Sequence, residues 1–251
     1  MPLAALGGKG AELLELLSGE YNNHEQVWQQ KLDGTASHER RHWRIERTGE
    51  SSLALSVAPG QSAGEPAWIF DLLPGSLDTV VTAVGEREPF CVYGWVAEEN
   101  GFTGRETPSS RCPAALPRYW RVSADRLLSS HGEPGLETPY SARRVRYYDG
   151  WIALQRRRID PHADKDDHIL IRGLRAHDGG FIVSITDGGD ATGYALELAR
   201  LTYQNTSTAV LKLGVIDESS GQTLSYAWSA PFAERIGLNL RWVQAGFTLE
   251  D

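Results

Sequence analysis

Aromatic rings alternate with arginines in two short stretches of this 251-residue chain, RYWRV at 118–122 and RVRYY at 144–148. Flat amphipathic rings beside fixed-fork cations suit an acidic, planar ligand, although most of the eight Trp and nine Tyr in the chain are to be expected in a core. Two acidic clusters have the residue types of metal sites. PHADKDDH gathers His162, Asp164, Asp166, Asp167 and His168, but it lies between two strand candidates and reads as a solvated hairpin loop. DGGDATG at 187–193 lacks the spaced acids and terminal glutamate of an EF-hand. No metal is assigned to either. Cys91 and Cys112 are too few for a disulfide scaffold or a cysteine metal cluster, and in a reducing compartment such residues are usually thiols. GEYNNHEQ at 19–26 crowds polar groups that are costly to bury without partners, so it is either a solvated turn or a set of groups for a ligand. There is no G-x-S-x-G, P-loop or dinucleotide fingerprint.

The elements that must position these residues follow from periodicity. Leu13, Leu14, Leu16 and Leu17 share one side of a helix over 9–17, with Gly19 where a C-cap glycine belongs. After it the period falls to two. Trp43 and Ile45 share a face of RHWRIER, and Leu53, Leu55 and Val57 share a face of SLALSVA. Similar runs continue to the end of the chain, RRVRYYDGWIALQRR among them, separated by Gly, Pro, Asp, Asn and Ser as in DGG at 178–180 and DESSGQ at 217–222. YALELARL has helical propensity, but its β-rich flanks make it a strand. The expected fold class is all-β, an antiparallel lipocalin-like barrel or calyx of about ten or more strands, closed at one end by the short N-terminal helix. One barrel domain is expected over 1–251. The irregular stretch at 129–141 reads as a linker or a loop over a barrel mouth.

Composition excludes some classes. A formal net charge of −8 argues against a broad nucleic-acid face. No apolar run approaches the roughly 20 residues that span a bilayer, so no membrane partner is expected. The N-terminus lacks the pattern of a signal peptide, which points to a cytoplasmic protein. Only four of the 25 basic residues are lysine, an excess of arginine that codon bias explains as readily as an acidic ligand does.

LLELLSGEYNNHEQ resembles the opening of the CpcT/CpeT (T-type) phycobiliprotein chromophore lyases: a short amphipathic helix, then G-x-[aromatic]-x-N-x-x-Q, here Gly19, Tyr21, Asn23 and Gln26. FCVYGWVAEENGFTGRETPSSRCPAALPRYWRVSADRL is similar to a second region of that family, through Cys91, Gly101, Phe102, Gly104, Pro108, Cys112 and Tyr119. The resemblance covers residues 10–130 and leaves 131–251 as additional strands. It implies a calyx that holds an open-chain tetrapyrrole (a bilin) as bound substrate, with no other cofactor, and passes it to a cysteine of a phycobiliprotein-like acceptor. A homodimer is compatible with it. The other class is a non-catalytic lipocalin-like carrier of a small hydrophobic ligand, or a protein-interaction module.

If the resemblance extends to mechanism, the site needs cations for propionates, aromatic walls and an acid. Arg41, Arg44 and Arg121 are the candidates for the propionates, Tyr93, Trp95 and Trp120 for the walls, and Glu106 for the acid that protonates the tetrapyrrole while an external thiolate adds. Each competes with a plainer role as surface charge or core ring. Tyr21 is the ligand contact expected from the opening motif, whereas Asn23 and Gln26 more readily bond backbone. The matched positions of Cys91 and Cys112 imply a neighbouring pair, read as a disulfide. Tyr93 and Trp95 are expected to line a cavity, with Phe90 and Val92 packing outward.

Overall fold

A computed structural model describes residues 8–132, 137–203 and 208–250, and the chain divides into two compact units, 1–144 and 145–251. The first opens with α1 (Gly8–Leu17), β1 (Gly19–Asn22) and α2 (His24–Leu32). Nine strands follow: β2 (Arg41–Arg47), β3 (Ser52–Pro59), β4 (Trp68–Leu72), β5 (Thr79–Ala83), β6 (Cys91–Glu98), β7 (Gly101–Glu106), β8 (Tyr119–Val122), β9 (Arg126–Ser130) and β10 (Tyr140–Arg144). Each pairs antiparallel with the next, and β1 lies between β2 and β10, so the ten strands form a closed barrel. Closure pairs every edge. The all-β, lipocalin-like barrel with its short N-terminal helix is the architecture of this unit.

Alternation builds the barrel interior. Trp43, Ile45, Leu53, Leu55, Phe70 and Val81 point inward from successive strands, and α1 adds Leu13, Leu14 and Leu17 to the same core. The period-two pattern is interrupted at His42, which is buried on the outer face because Glu20 and Asn22 of the neighbouring β1 cover it. Two local readings change. Gly19 begins β1 instead of capping α1, and α2 arises from HEQVWQQKL, whose one buried residue, Val27, leaves little apolar period to read.

Residues 145–251 correct the single-domain expectation. They form eight further strands, β11 (Tyr147–Gln155), β12 (His168–His177), β13 (Gly179–Asp187), β14 (Asp190–Tyr203), β15 (Thr208–Asp217), β16 (Gln222–Ser229), β17 (Arg235–Asn239) and β18 (Val243–Leu249). These make two four-stranded sheets, in the orders β12-β11-β18-β17 and β13-β14-β15-β16, around a second core that includes Ile152, Ile185, Leu198, Leu213 and Phe247. The additional strands cannot extend the barrel, because β10 is already paired with both β9 and β1. The boundary falls between Arg144 and Val145, inside a run that reads as one strand, and not in the Gly/Pro-rich stretch at 129–141. Residues 133–136 of that stretch lie outside the described residues.

The two acidic clusters build turns. The Asp160 and Asp164 carboxylates accept from the backbone N–H groups of His162 and Asp166 at 2.9 and 3.0 Å, and Asp187 to Asp190 joins β13 to β14. Among the described residues, no helix is long and apolar enough to cross a membrane, and no three His, Cys, Asp or Glu side chains are grouped to hold a metal ion.

Candidate functional site

The polar opening segment is consumed by the scaffold. Tyr21 is buried with its hydroxyl donating to the Leu16 carbonyl at 2.6 Å. Asn23 donates to the Glu39 carbonyl at 3.0 Å and accepts from the Arg41 N–H at 2.7 Å. Gln26 does the same with the Pro139 carbonyl and the Ser141 N–H, at 2.8 and 2.9 Å. Asn22 bonds the ring of His42 at 3.1 Å, whose other nitrogen meets Glu20 at 2.7 Å. Every one of these amides thus replaces a strand or helix partner. Tyr21 is a packing residue, not an exposed ligand contact, and burial pushes its phenol up to about 12, with Arg144 opposing the rise and Asp125 adding to it.

Tyr93, Trp95 and Trp120 do come together inside the barrel, and Val92 lies on the opposite face of β6, whereas Phe90, also expected to pack outward, packs against the barrel core beside Trp68. Their surroundings are filled. The Tyr93 hydroxyl donates to the Pro117 carbonyl at 2.5 Å and the Trp95 indole to Thr79 Oγ1 at 3.0 Å. Phe70 stacks on Tyr93 at 5.8 Å and stands edge-on to Trp120 at 6.4 Å. The cavity left beside Trp95, Trp120 and Leu17 measures about 10 Å³, room for roughly one water, where drug-sized ligands occupy roughly 300 Å³ or more. The expected ligand cavity beside Trp95 is therefore corrected to a packed aromatic core: the Pro117 carbonyl and the Thr79 hydroxyl satisfy the polar tips of Tyr93 and Trp95, which were expected to need a wet cavity.

The three arginines chosen for propionates are spread over the barrel's strands and each meets a neighbouring acid. Arg41 pairs with Glu39 at 3.0 Å and lies over the Tyr140 ring, Arg44 is 3.6 Å from Glu46, and Arg121 is 2.8 Å from Glu98. No shared site results from them.

Glu106 is different. It ends β7 at the barrel rim, opposite Tyr93 in register, and opens into a surface groove of about 360 Å³ lined by Arg105, Thr107, Ser110, Arg118 and Tyr119. One carboxylate oxygen accepts from Ser110 Oγ and the Cys112 N–H, both at 3.2 Å, and the other lies 3.6 Å from Arg118 Nε. Arg105 lies over the Tyr119 ring, 5.4 Å from its centroid, because the two residues pair across β7 and β8 on the outer face. The floor is fixed from both ends. A disulfide joins Cys91 to Cys112, and the Tyr93 hydroxyl holds Pro117 just before β8. Burial, helped by the Glu106 charge and opposed by the Trp120 indole, raises the Tyr93 phenol well above its usual range, so it remains a donor.

This groove offers two guanidinium groups, an aromatic face and one anchored carboxylate, the chemistry of a site for a planar acid. Sequence reading found Glu106 and singled out RYWRV, but chose Trp120 and Arg121 from it instead of Arg118 and Tyr119, and it did not single out Arg105. The parity of RYWRV was the available signal, since Trp120 must face opposite to Tyr119 and Arg121.

The chain thus combines a lipocalin-like barrel, with a groove at its rim, and a second unit of two four-stranded sheets. No family model matches the chain, and no curated protein matches it. Among solved structures, the chain is similar to the T-type phycobiliprotein lyase CpeT from Prochlorococcus phage P-HM1, at 13% identity and a TM-score of 0.36, over 55% of this chain and 98% of that one. It also aligns with the DNA polymerase III subunit beta from Pseudomonas aeruginosa, at 9% identity and a TM-score of 0.11, over 94% of this chain and 58% of that one. Neither likeness carries an assignment of activity.

Proposed function

We propose that the N-terminal barrel is a binding module for a planar, acidic ligand, taken at the Glu106 groove, and that the ligand is an open-chain tetrapyrrole. The observation that carries this is that Glu106, Arg118 and the Arg105–Tyr119 pair line one groove of about 360 Å³. Arg105 and Arg118 would take the propionates, Tyr119 the conjugated face, and Glu106 the pyrrole N–H groups. In the lyase form of this function, the Glu106 carboxylate takes the proton of an acceptor protein's thiol and passes it to the tetrapyrrole, as the sulfur forms a C–S bond and the C=C bond of the bilin side chain becomes single.

Titration of the purified protein with phycocyanobilin tests it. The expected result is a shifted visible absorption band that weakens in Glu106→Gln and in Arg118→Ala. An unchanged spectrum in the native protein would overturn the reading. Adding an acceptor subunit then separates lyase from carrier, because only the lyase yields a covalent adduct. The packed barrel interior favours a second reading, a non-catalytic interaction module, in which neither spectrum nor adduct appears.

A further inference from the structure

The outer face of the sheet β12-β11-β18-β17 carries a second built surface. Trp151 stands at its centre, 40% exposed. In register beside it come Gly246 on β18 and then Gly237 on β17, so two adjacent strands present no side chain next to the ring. The indole leans into that space: a Cβ on Gly246 would come within 3.1 Å of its Nε1 and 3.4 Å of its Cε2. Polar side chains frame the trough. Asp149 and Thr248 face each other across β11 and β18 on one side, Gln244 lies on the other, and Arg172 pairs with Trp151 from β12. Together they line a depression of about 550 Å³.

Two features of this strand cluster are expensive for a plain sheet surface. Glycine inside a strand weakens it, and its recurring use is to let a ligand or another backbone approach closely. The register of β11 against β12 also shifts between Gly150 and Trp151, an irregularity of the kind that re-aims a side chain beside a site. An exposed tryptophan over a glycine trough is a platform.

We propose that this face binds a neutral carbohydrate chain. A pyranose ring has an apolar face of axial C–H groups and an edge of paired hydroxyls. The indole supplies the apolar contact. Asp149, Gln244 and Arg172 are planar side chains that can each engage two adjacent hydroxyls, as acceptor, as both, and as donor. The charges argue for a neutral partner. Asp149 would repel the phosphates of a nucleic acid, and Arg175, the next cation along β12, is committed to Glu250 through two bonds of 2.6 and 2.9 Å. An open depression on a sheet face admits a chain more readily than it encloses a single sugar.

The test uses the full chain in native affinity gels containing soluble β-1,4-glucan, β-1,3-glucan, xylan, mannan or starch, followed by calorimetry with the matching hexasaccharide. Retardation is expected on at least one polysaccharide. Trp151→Ala should weaken binding at least tenfold and Trp151→Tyr should restore part of it. Trp228→Ala, which removes another exposed indole on β16 of the other sheet, should leave it unchanged, and far-UV circular dichroism of each variant establishes its fold. No retardation on any of the five, equal loss in Trp151→Ala and Trp228→Ala, or tighter binding of a single-stranded DNA or peptide probe at Trp151 would overturn the proposal.

Discussion

Arg144 Nη2 donates to the Tyr21 hydroxyl at 2.7 Å, and the same guanidinium reaches the carbonyls of Leu16 and Ser18 at 2.6 and 2.5 Å. The last carbonyls of α1 have no partner within the helix and form its negative end, so a cation from β10 satisfies them and ties the helix to the barrel's closing strand. Gly19 is part of the same contact, because its φ of 140° and a hypothetical Cβ only 2.3 Å from Arg144 Nη1 leave no room for another residue. Tyr21→Phe removes the hydroxyl from this network. It should lower stability by about 1.5–3 kcal/mol, read as a reduced denaturant midpoint with an unchanged slope, since hydrogen bonds to charged groups contribute about that much. A change in ligand affinity with no loss of stability would contradict the packing role.

Gly104 makes space for Trp95 across β6 and β7. A Cβ there would lie 2.8 Å from Cε3 and Cζ3 of an indole that is 5% exposed and bonded to Thr79. Gly104→Ala should destabilise the barrel by about 1–3 kcal/mol through overpacking. The lost order should show as a shift in tryptophan emission at lower denaturant, whereas a neutral result would mean that Trp95 can move.

The Cys91–Cys112 disulfide closes a loop with a sequence separation of 21 and holds the floor of the Glu106 groove. Replacing both cysteines by serine should cost about 3 kcal/mol by the loop-entropy estimate. It should also release Ser110 and Cys112 from Glu106, so tetrapyrrole binding should weaken more than binding at the Trp151 face. Alkylation of Cys91 and Cys112 in the native protein under non-reducing conditions would show the bond to be absent.

The barrel was legible in the sequence wherever one face is buried and the other is wet, as at Trp43 and Ile45 or Tyr93 and Trp95. What pattern cannot report is which sheet a strand joins. β10 and β11 are separated by only Val145 and Arg146, and nothing in their composition marks the end of one core and the start of another. The site was half legible for a related reason. Motif residues such as Tyr21, Asn23 and Gln26 look chemical because they are polar and regularly spaced, yet their partners are backbone groups of α1 and of the chain at the starts of β2 and β10. Glu106 stands out only once Arg118 is brought beside it by the β7–β8 pairing. The arginines chosen on sequence, Arg41, Arg44 and Arg121, have nearby glutamates, two of them within two residues along the chain, and a local acid is the default partner of a strand-surface cation.

Alkaline titration tests the buried phenols. Tyr21 and Tyr148 are both raised from 10.0 to about 12, chiefly by burial, and Tyr93 is raised further by the same cause. A folded-state value above the unfolded one means that the native state holds its proton more tightly. The associated stability is therefore complete below about pH 10 and is lost as pH rises through about 12, on the order of 3 kcal/mol from Tyr21 alone. Absorbance at 295 nm should show some of the nine tyrosines ionising at ordinary pH and a late fraction appearing with the loss of native tryptophan emission. Tyr21→Phe should remove part of that late fraction. If all tyrosines titrate together near pH 10 with the native emission intact, these phenols are not buried as described.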